Sequence, residues 1–156
     1  MLLAFALILG YVEALIPLPF GVPGMKLGLP NLAVLITMYR FGNKEALTVN
    51  VARVLLGGFL FGNLSAVLYS LSGALVSFLV MLAIKRLPCF SITGVSVAGG
   101  TAHNCAQLVV AMLVVQTYQT IYYLPFLLVS GCITGLCLGL TAGQVMKRLP
   151  AWRSDL

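Results

Sequence analysis

After Arg53 the chain meets no further charged residue until Lys85, and after Arg86 none until Lys147. Charge-free stretches of that length do not make the surface of a water-soluble domain, in which about a quarter of all residues are charged. Here 8% are charged, 61% are hydrophobic and the mean hydropathy is +1.09. The chain therefore reads as an all-α integral membrane protein. Its 156 residues accommodate about six spans of ~20 residues with short connections and leave no room for a soluble catalytic domain. Residues 1–156 are expected to form a single membrane domain.

The apolar runs and their Gly, Pro and Asn breaks predict six transmembrane helices near 2–16, 29–42, 44–62, 63–84, 94–116 and 121–147. Six spans put both termini on one side. If that side is the cytoplasm, Arg40, Lys44, Lys85, Arg86, Lys147, Arg148 and Arg153 lie inside, Lys26 alone lies outside, and Arg53 stays within the membrane. This positive-inside asymmetry supports a multi-pass protein of the cell membrane with both termini cytoplasmic. Tyr118, Tyr122, Tyr123 and Trp152 fall where interfacial anchors are expected. The first segment has no basic n-region and no small-x-small site before Pro17, so it is read as a retained span. The net charge of +6 comes from residues flanking apolar runs, without interleaved aromatics, which speaks against a nucleic-acid partner.

The second segment raises the first functional question. Fourteen residues at 1.5 Å each reach ~21 Å, short of a ~30 Å hydrocarbon core, so its start is expected below the outer surface. The preceding loop gathers Gly21, Gly24 and Gly28 with Pro19, Pro23 and Pro30 around Lys26. Irregular backbone at membrane depth survives only where protein buries it or a wet cavity solvates it. We read the loop as a glycine-rich lid over an outward-facing cavity. Lys26 and the amide groups of the following helix start, Gly28 to Asn31, would favour a negative or strongly polar group there. Lys26 as a snorkelling lysine at the outer headgroups is the competing role.

Further polar residues stand where lipid makes them costly. Glu13 lies near the outer end of the first segment. Asn50 and Arg53 are three apart on the third, and His103, Asn104 and Gln107 form a stripe on the fifth. Glu13 with Arg53 could be a buried structural pair and the stripe could join helices; contact with a ligand is the alternative for each.

Small residues carry a separate message. Gly131, Gly135, Gly139 and Gly143 recur every four residues on the sixth segment, a smooth ridge for close helix packing. Ala6, Gly10 and Ala14 repeat the device on the first, where a peripheral helix can meet an external partner. Cys89, Cys105, Cys132 and Cys137 contain no CxxC pair and read mainly as small hydrophobes. The chain has neither a GxxxxGK[ST] phosphate loop nor an HExxH zinc signature. No metal site and no intrinsic cofactor is expected.

The succession YVEALIP, PGMKLGLPNLAVL, ARVLLGGFLFGN, YSLSGALVS, GVSVAGGTAHNCAQL and YLPFLLVSGCITGLCLGLTAG resembles the Gx transporter family over nearly the whole chain. Members of that family are often labelled heptaprenyl diphosphate synthase component I. The family is grouped with the substrate-binding S components of energy-coupling factor transporters. The resemblance implies a six-helix fold with a substrate cavity near the outer face and a first loop acting as lid. It also implies small residues on the first helix, here Ala6, Gly10 and Ala14, docking onto a transmembrane coupling subunit, with ATP used only by partner ATPases.

The synthase label has a chemical test. Polyprenyl synthases hold Mg²⁺ and diphosphate through clustered aspartates, because a hard cation needs several carboxylate oxygens. This chain has three acidic residues, Glu13, Glu45 and Asp155, far apart in sequence. We therefore expect a non-enzymatic subunit that captures a small polar or anionic metabolite. The alternative is a non-transport membrane subunit serving isoprenoid, quinone or flavin-linked redox machinery.

Overall fold

The computed structural model describes residues 1–15, 28–62 and 64–148. Lys26 and most of the expected lid, together with Asn63, Trp152, Arg153 and Asp155, lie outside the described residues. The described chain is helical: α1 Leu2–Leu15, α2 Asn31–Arg40, α3 Asn43–Phe61, α4 Leu64–Lys85, α5 Ile92–Val115 and α6 Leu124–Arg148, with a 3-10 helix at Tyr118–Tyr123 before α6.

The boundaries follow local chemistry. Pro30 stands in the turn before α2, so that helix begins at Asn31, two residues later than expected. Ser91 caps α5 by accepting the Gly94 N–H at 3.3 Å, moving its start forward to Ile92. The expected sixth helix ran into the 3-10 turn, and the α-helix proper opens at Leu124 with Pro125 in its first turn. Between α2 and α3 the Phe41 and Gly42 amides both donate to the Thr37 carbonyl, at 2.8 and 3.1 Å. Gly42 takes φ +126°, a conformation that a side chain would strain.

α2 is the centre of the molecule. Asn31 through Met38 are all buried, and α2 packs on α1, α3 and α6. Its Leu32, Leu35 and Met38 join Phe78, Met81 and Val95 in the main apolar core. Lys85, at the end of α4, donates to the Met38 carbonyl at 2.6 Å and to Asn43 Oδ1 at 3.2 Å while lying over the Tyr39 ring, which fastens the α2 C-terminus to α4.

The tightest packing joins α5 to α6. A Cβ at Gly131, Gly135 or Gly139 would fall within 3 Å of α5 atoms at Gly100, Val97 and Thr93 respectively, whereas one at Gly143 would meet nothing within 4 Å. Three steps of the expected ridge are therefore a backbone-to-backbone seam inside the chain. Cys105, Cys132 and Cys137 sit on these two helices, and all four cysteines are free.

Large apolar side chains such as Phe59, Leu60, Leu64, Leu113 and Ile133 cover the outside. Leu64–Lys85, Ile92–Val115 and the run Tyr118–Arg148 are each long and apolar enough to cross a bilayer, and α1 is a shorter apolar helix. This is the build of a membrane protein. α3 is 19 residues long but carries Lys44, Glu45, Asn50 and Arg53, which lower its hydropathy. Tyr118 and Tyr122 are almost fully exposed on the 3-10 helix.

Candidate functional site

The polar residues converge because five elements meet at the start of α2. Asn31 opens α2, and Gly28 precedes it at φ +80°. Glu13 reaches in from α1 and accepts the Gly28 N–H at 2.5 Å. Arg53, on the facing side of α3, donates from Nη2 to Asn31 Oδ1 at 2.8 Å and from Nε to Asn50 Oδ1 at 3.1 Å. Asn50 in turn donates to the Ala74 carbonyl of α4 at 2.9 Å. The guanidinium is thus held by two side-chain amides, one of them anchored to a third helix.

These residues surround a cavity of about 50 Å³ lined by Glu13, Gly28, Pro30, Arg53, Ser70 and His103, with Ala6, Gly10 and Ala14 forming its α1 wall. Glu13 and Arg53 attract each other electrostatically across it. The space suits a few water molecules. It is far below the 300 Å³ or more of a pocket for a drug-sized ligand.

His103 lies between the turn before α2 and α4: Cδ2 is 3.9 Å from where a Gly28 Cβ would be, and Cε1 is 2.8 Å from that of Gly73. A side chain at Gly73 would displace the ring. Gln107, one turn further along α5, also lies against Gly73, with Cγ 3.0 Å from that Cβ position. Neither Gln107 Oε1 nor Nε2 has a hydrogen-bond partner among the described residues, and the side chain is 2% exposed.

Of the residues expected at a site, Glu13, Gly28, Asn31, Asn50, Arg53 and His103 come together, and Gln107 stands directly behind His103. Asn104 faces the other way, donating to the Leu127 carbonyl at 2.9 Å and to Ser130 Oγ at 3.1 Å, and so joins α5 to α6. Ser70 and Gly73 were not singled out from the sequence. Their signal is the small or hydroxylated face Ser70, Gly73, Ser77 at helical spacing.

The described residues bear on two expectations. At the α2 start the Asn31, Leu32 and Ala33 N–H groups are engaged, donating to the Gly28, Leu29 and Pro30 carbonyls, and the Gly28 N–H is held by Glu13. The turn before α2 is wound tightly enough to close its own hydrogen bonds, so the fixed cation of the described site is Arg53. On the Ala6, Gly10 and Ala14 ridge, Ala6 is 1% exposed and a Gly10 Cβ would lie 3.5 Å from Pro30 Cγ, whereas Ala14 is exposed. Ala6 and Gly10 thus face the interior near Pro30, and the outward side of α1 is formed by Phe5, Ile8, Tyr11, Val12 and Leu15, with Ala14 also exposed.

A family model described as heptaprenyl diphosphate synthase component I matches residues 2–145, nearly all of the described structure. The chain belongs to the heptaprenyl diphosphate synthase component I family. No curated protein and no solved structure matches it. The name component I implies a multi-subunit complex. In this member of the component I family, the residues Glu13 and Arg53 that the cavity brings together lie within the matched range.

Proposed function

We propose that the chain is the substrate-capture subunit of an energy-coupling factor type transporter, an S-component-like protein with six membrane-spanning segments and both termini in the cytoplasm. It takes a small polar or anionic metabolite from the outer face. A transmembrane coupling subunit and ATPases supply the energy, so ATP is used only by those partners. The observation that carries this reading is the cavity holding Arg53 and Glu13 inside an apolar helical body. Charges within a membrane domain are costly and mark ligand or ion sites by default. Arg53 is held in place by Asn31 and Asn50, so its fork needs little ordering when it meets a carboxylate or phosphate. At about 50 Å³ the cavity is smaller than a metabolite, so capture requires its walls to separate.

The family description supports a second reading, a non-transport membrane subunit of isoprenoid or quinone biosynthesis or of flavin-linked redox machinery. In either role the polypeptide is not itself a prenyl synthase, since its three acidic residues are dispersed in sequence. Affinity purification from native membranes separates the two. Recovery of ATPases with a coupling subunit supports transport, and recovery of a prenyltransferase or redox proteins overturns it. Native mass spectrometry of the gently extracted chain is expected to show a retained small molecule.

A further inference from the structure

We propose that the anionic ligand met by Arg53 carries a flexible apolar tail, and that this tail lies in the groove between α1 and α3 on the outside of the molecule. The inference rests on the capture reading above and adds the ligand class, a single-chain anionic amphiphile.

The argument begins from room. The cavity at Arg53, about 50 Å³, has space for a small charged head group and little else. Beside it, Leu7, Ile8 and Tyr11 of α1 and Leu60 of α3 line a second space of about 440 Å³, within the range of pockets that hold small molecules. Leu7 lines both, so the two spaces adjoin at one half-buried, flexible side chain. Glycine keeps the boundary thin. Gly10 and Gly57 line the cavity from α1 and α3, and a Cβ at Gly57 would meet nothing within 4 Å. A Cβ at the next residue, Gly58, would strike Val67 of α4. Packing therefore demands glycine at Gly58, whereas at Gly57 its effect is to leave space open beside the cavity.

The two spaces differ in chemistry. Arg53 and Glu13 reach into the cavity, while the groove is walled by aliphatic side chains and the Tyr11 ring, with Ile8, Tyr11 and Leu60 exposed on the apolar outside. A short carboxylate or free phosphate would meet Arg53 and make no use of the groove. A neutral hydrocarbon would fill the groove and make no use of Arg53. A charged head on a single apolar chain fits both at once. Lipid is as apolar as these side chains, so the chain passes from bilayer to groove at little cost, and the contact that discriminates is the head at the Arg53 fork.

The test uses the whole chain in nanodiscs of neutral phosphatidylcholine. Decanoate and decyl phosphate, each bearing a photoreactive diazirine near the methyl end, are compared with the corresponding decanol, which shares the tail and lacks the charge. Mass spectrometry of peptides after illumination reads the labelling of Ile8, Tyr11 and Leu60. At least one anionic probe is expected to label them about tenfold more than the alcohol, the factor that one hydrogen bond to a buried charge supplies; the stronger of the two names the head. Arg53→Gln is expected to bring that labelling down to the level of the alcohol. Gly57→Leu is expected to lower it severalfold by filling the space beside Leu7, and it keeps the test decisive if Arg53→Gln does not fold. Equal labelling by the anions and the alcohol in the parent makes bulk lipid chains the occupants of the groove and overturns the proposal. Anionic labelling that neither substitution changes does the same. A short diazirine carboxylate without a tail tests the capture reading separately. If the tailed probes fail and the short one still labels His103 in an Arg53-dependent way, only the tail is overturned; if no anion labels in an Arg53-dependent way, the capture reading falls with it.

Discussion

Arg53 Nη2 lies 2.8 Å from Asn31 Oδ1, so a cation on the long helix α3 is tied to the first residue of the buried half-helix α2. The same guanidinium is electrostatically coupled to Glu13 of α1. Three helices thus depend on one side chain.

Removing that cation takes away the donor to Asn31 Oδ1 and Asn50 Oδ1 and the charge that attracts Glu13. Arg53→Met is expected to destabilise the purified protein by about 1–3 kcal/mol, the usual cost of leaving a buried polar group without its partner. Adding Glu13→Gln removes the stranded charge and keeps an acceptor for the Gly28 N–H, so the double variant is expected to recover a large part of the loss. Thermal unfolding of the four proteins of this cycle in detergent checks it; additive losses would show that the two charges act independently.

The glycine ridge of α6 divides into two kinds of position. Gly135→Ala places a methyl 2.6 Å from the Val97 Cα and 2.8 Å from the Ser96 carbonyl oxygen, and it is expected to cost about 1–3 kcal/mol through forced separation of α5 and α6. Gly143→Ala meets open space and is expected to be stabilising by up to about 1 kcal/mol through helix propensity. Comparison of their unfolding temperatures is the measurement, and equal values would contradict the packing described for the seam.

On α1, Gly10 and Phe5 report different surfaces. Gly10→Leu drives a side chain toward Pro30 and the cavity, so the isolated chain is expected to lose its retained small molecule in native mass spectrometry. Phe5→Trp alters an exposed face and is expected to leave retention intact. Retention in Gly10→Leu, with failure only of coupling-subunit recovery, would assign the ridge the docking role.

Orientation is open to direct chemistry. In a background with the four native cysteines replaced, a cysteine at Gln119 is expected to react in intact cells with an impermeant thiol reagent, and one at Asn43 is not. Labelling at Asn43 would reverse the assigned sides.

The sequence by itself determined that the chain is a membrane protein, its helix count and approximate bounds, and it singled out most of the polar residues that surround the cavity. These are local properties. A run without charge between Arg53 and Lys85 has one favourable solvent, and Arg53, Glu13 and His103 stand out because lipid makes each of them costly. Helical spacing also showed that Gly131, Gly135 and Gly139 share a face. Tertiary structure decided which backbone that face meets, and that Asn104 turns toward α6 while His103, its neighbour in sequence, turns toward the cavity. It decided too that Ala6 and Gly10 face inward, and that the amides opening α2 are already engaged. Each of these depends on the rotation of a helix about its axis relative to neighbours distant in the chain. Periodicity identifies a face, but only packing says what the face touches.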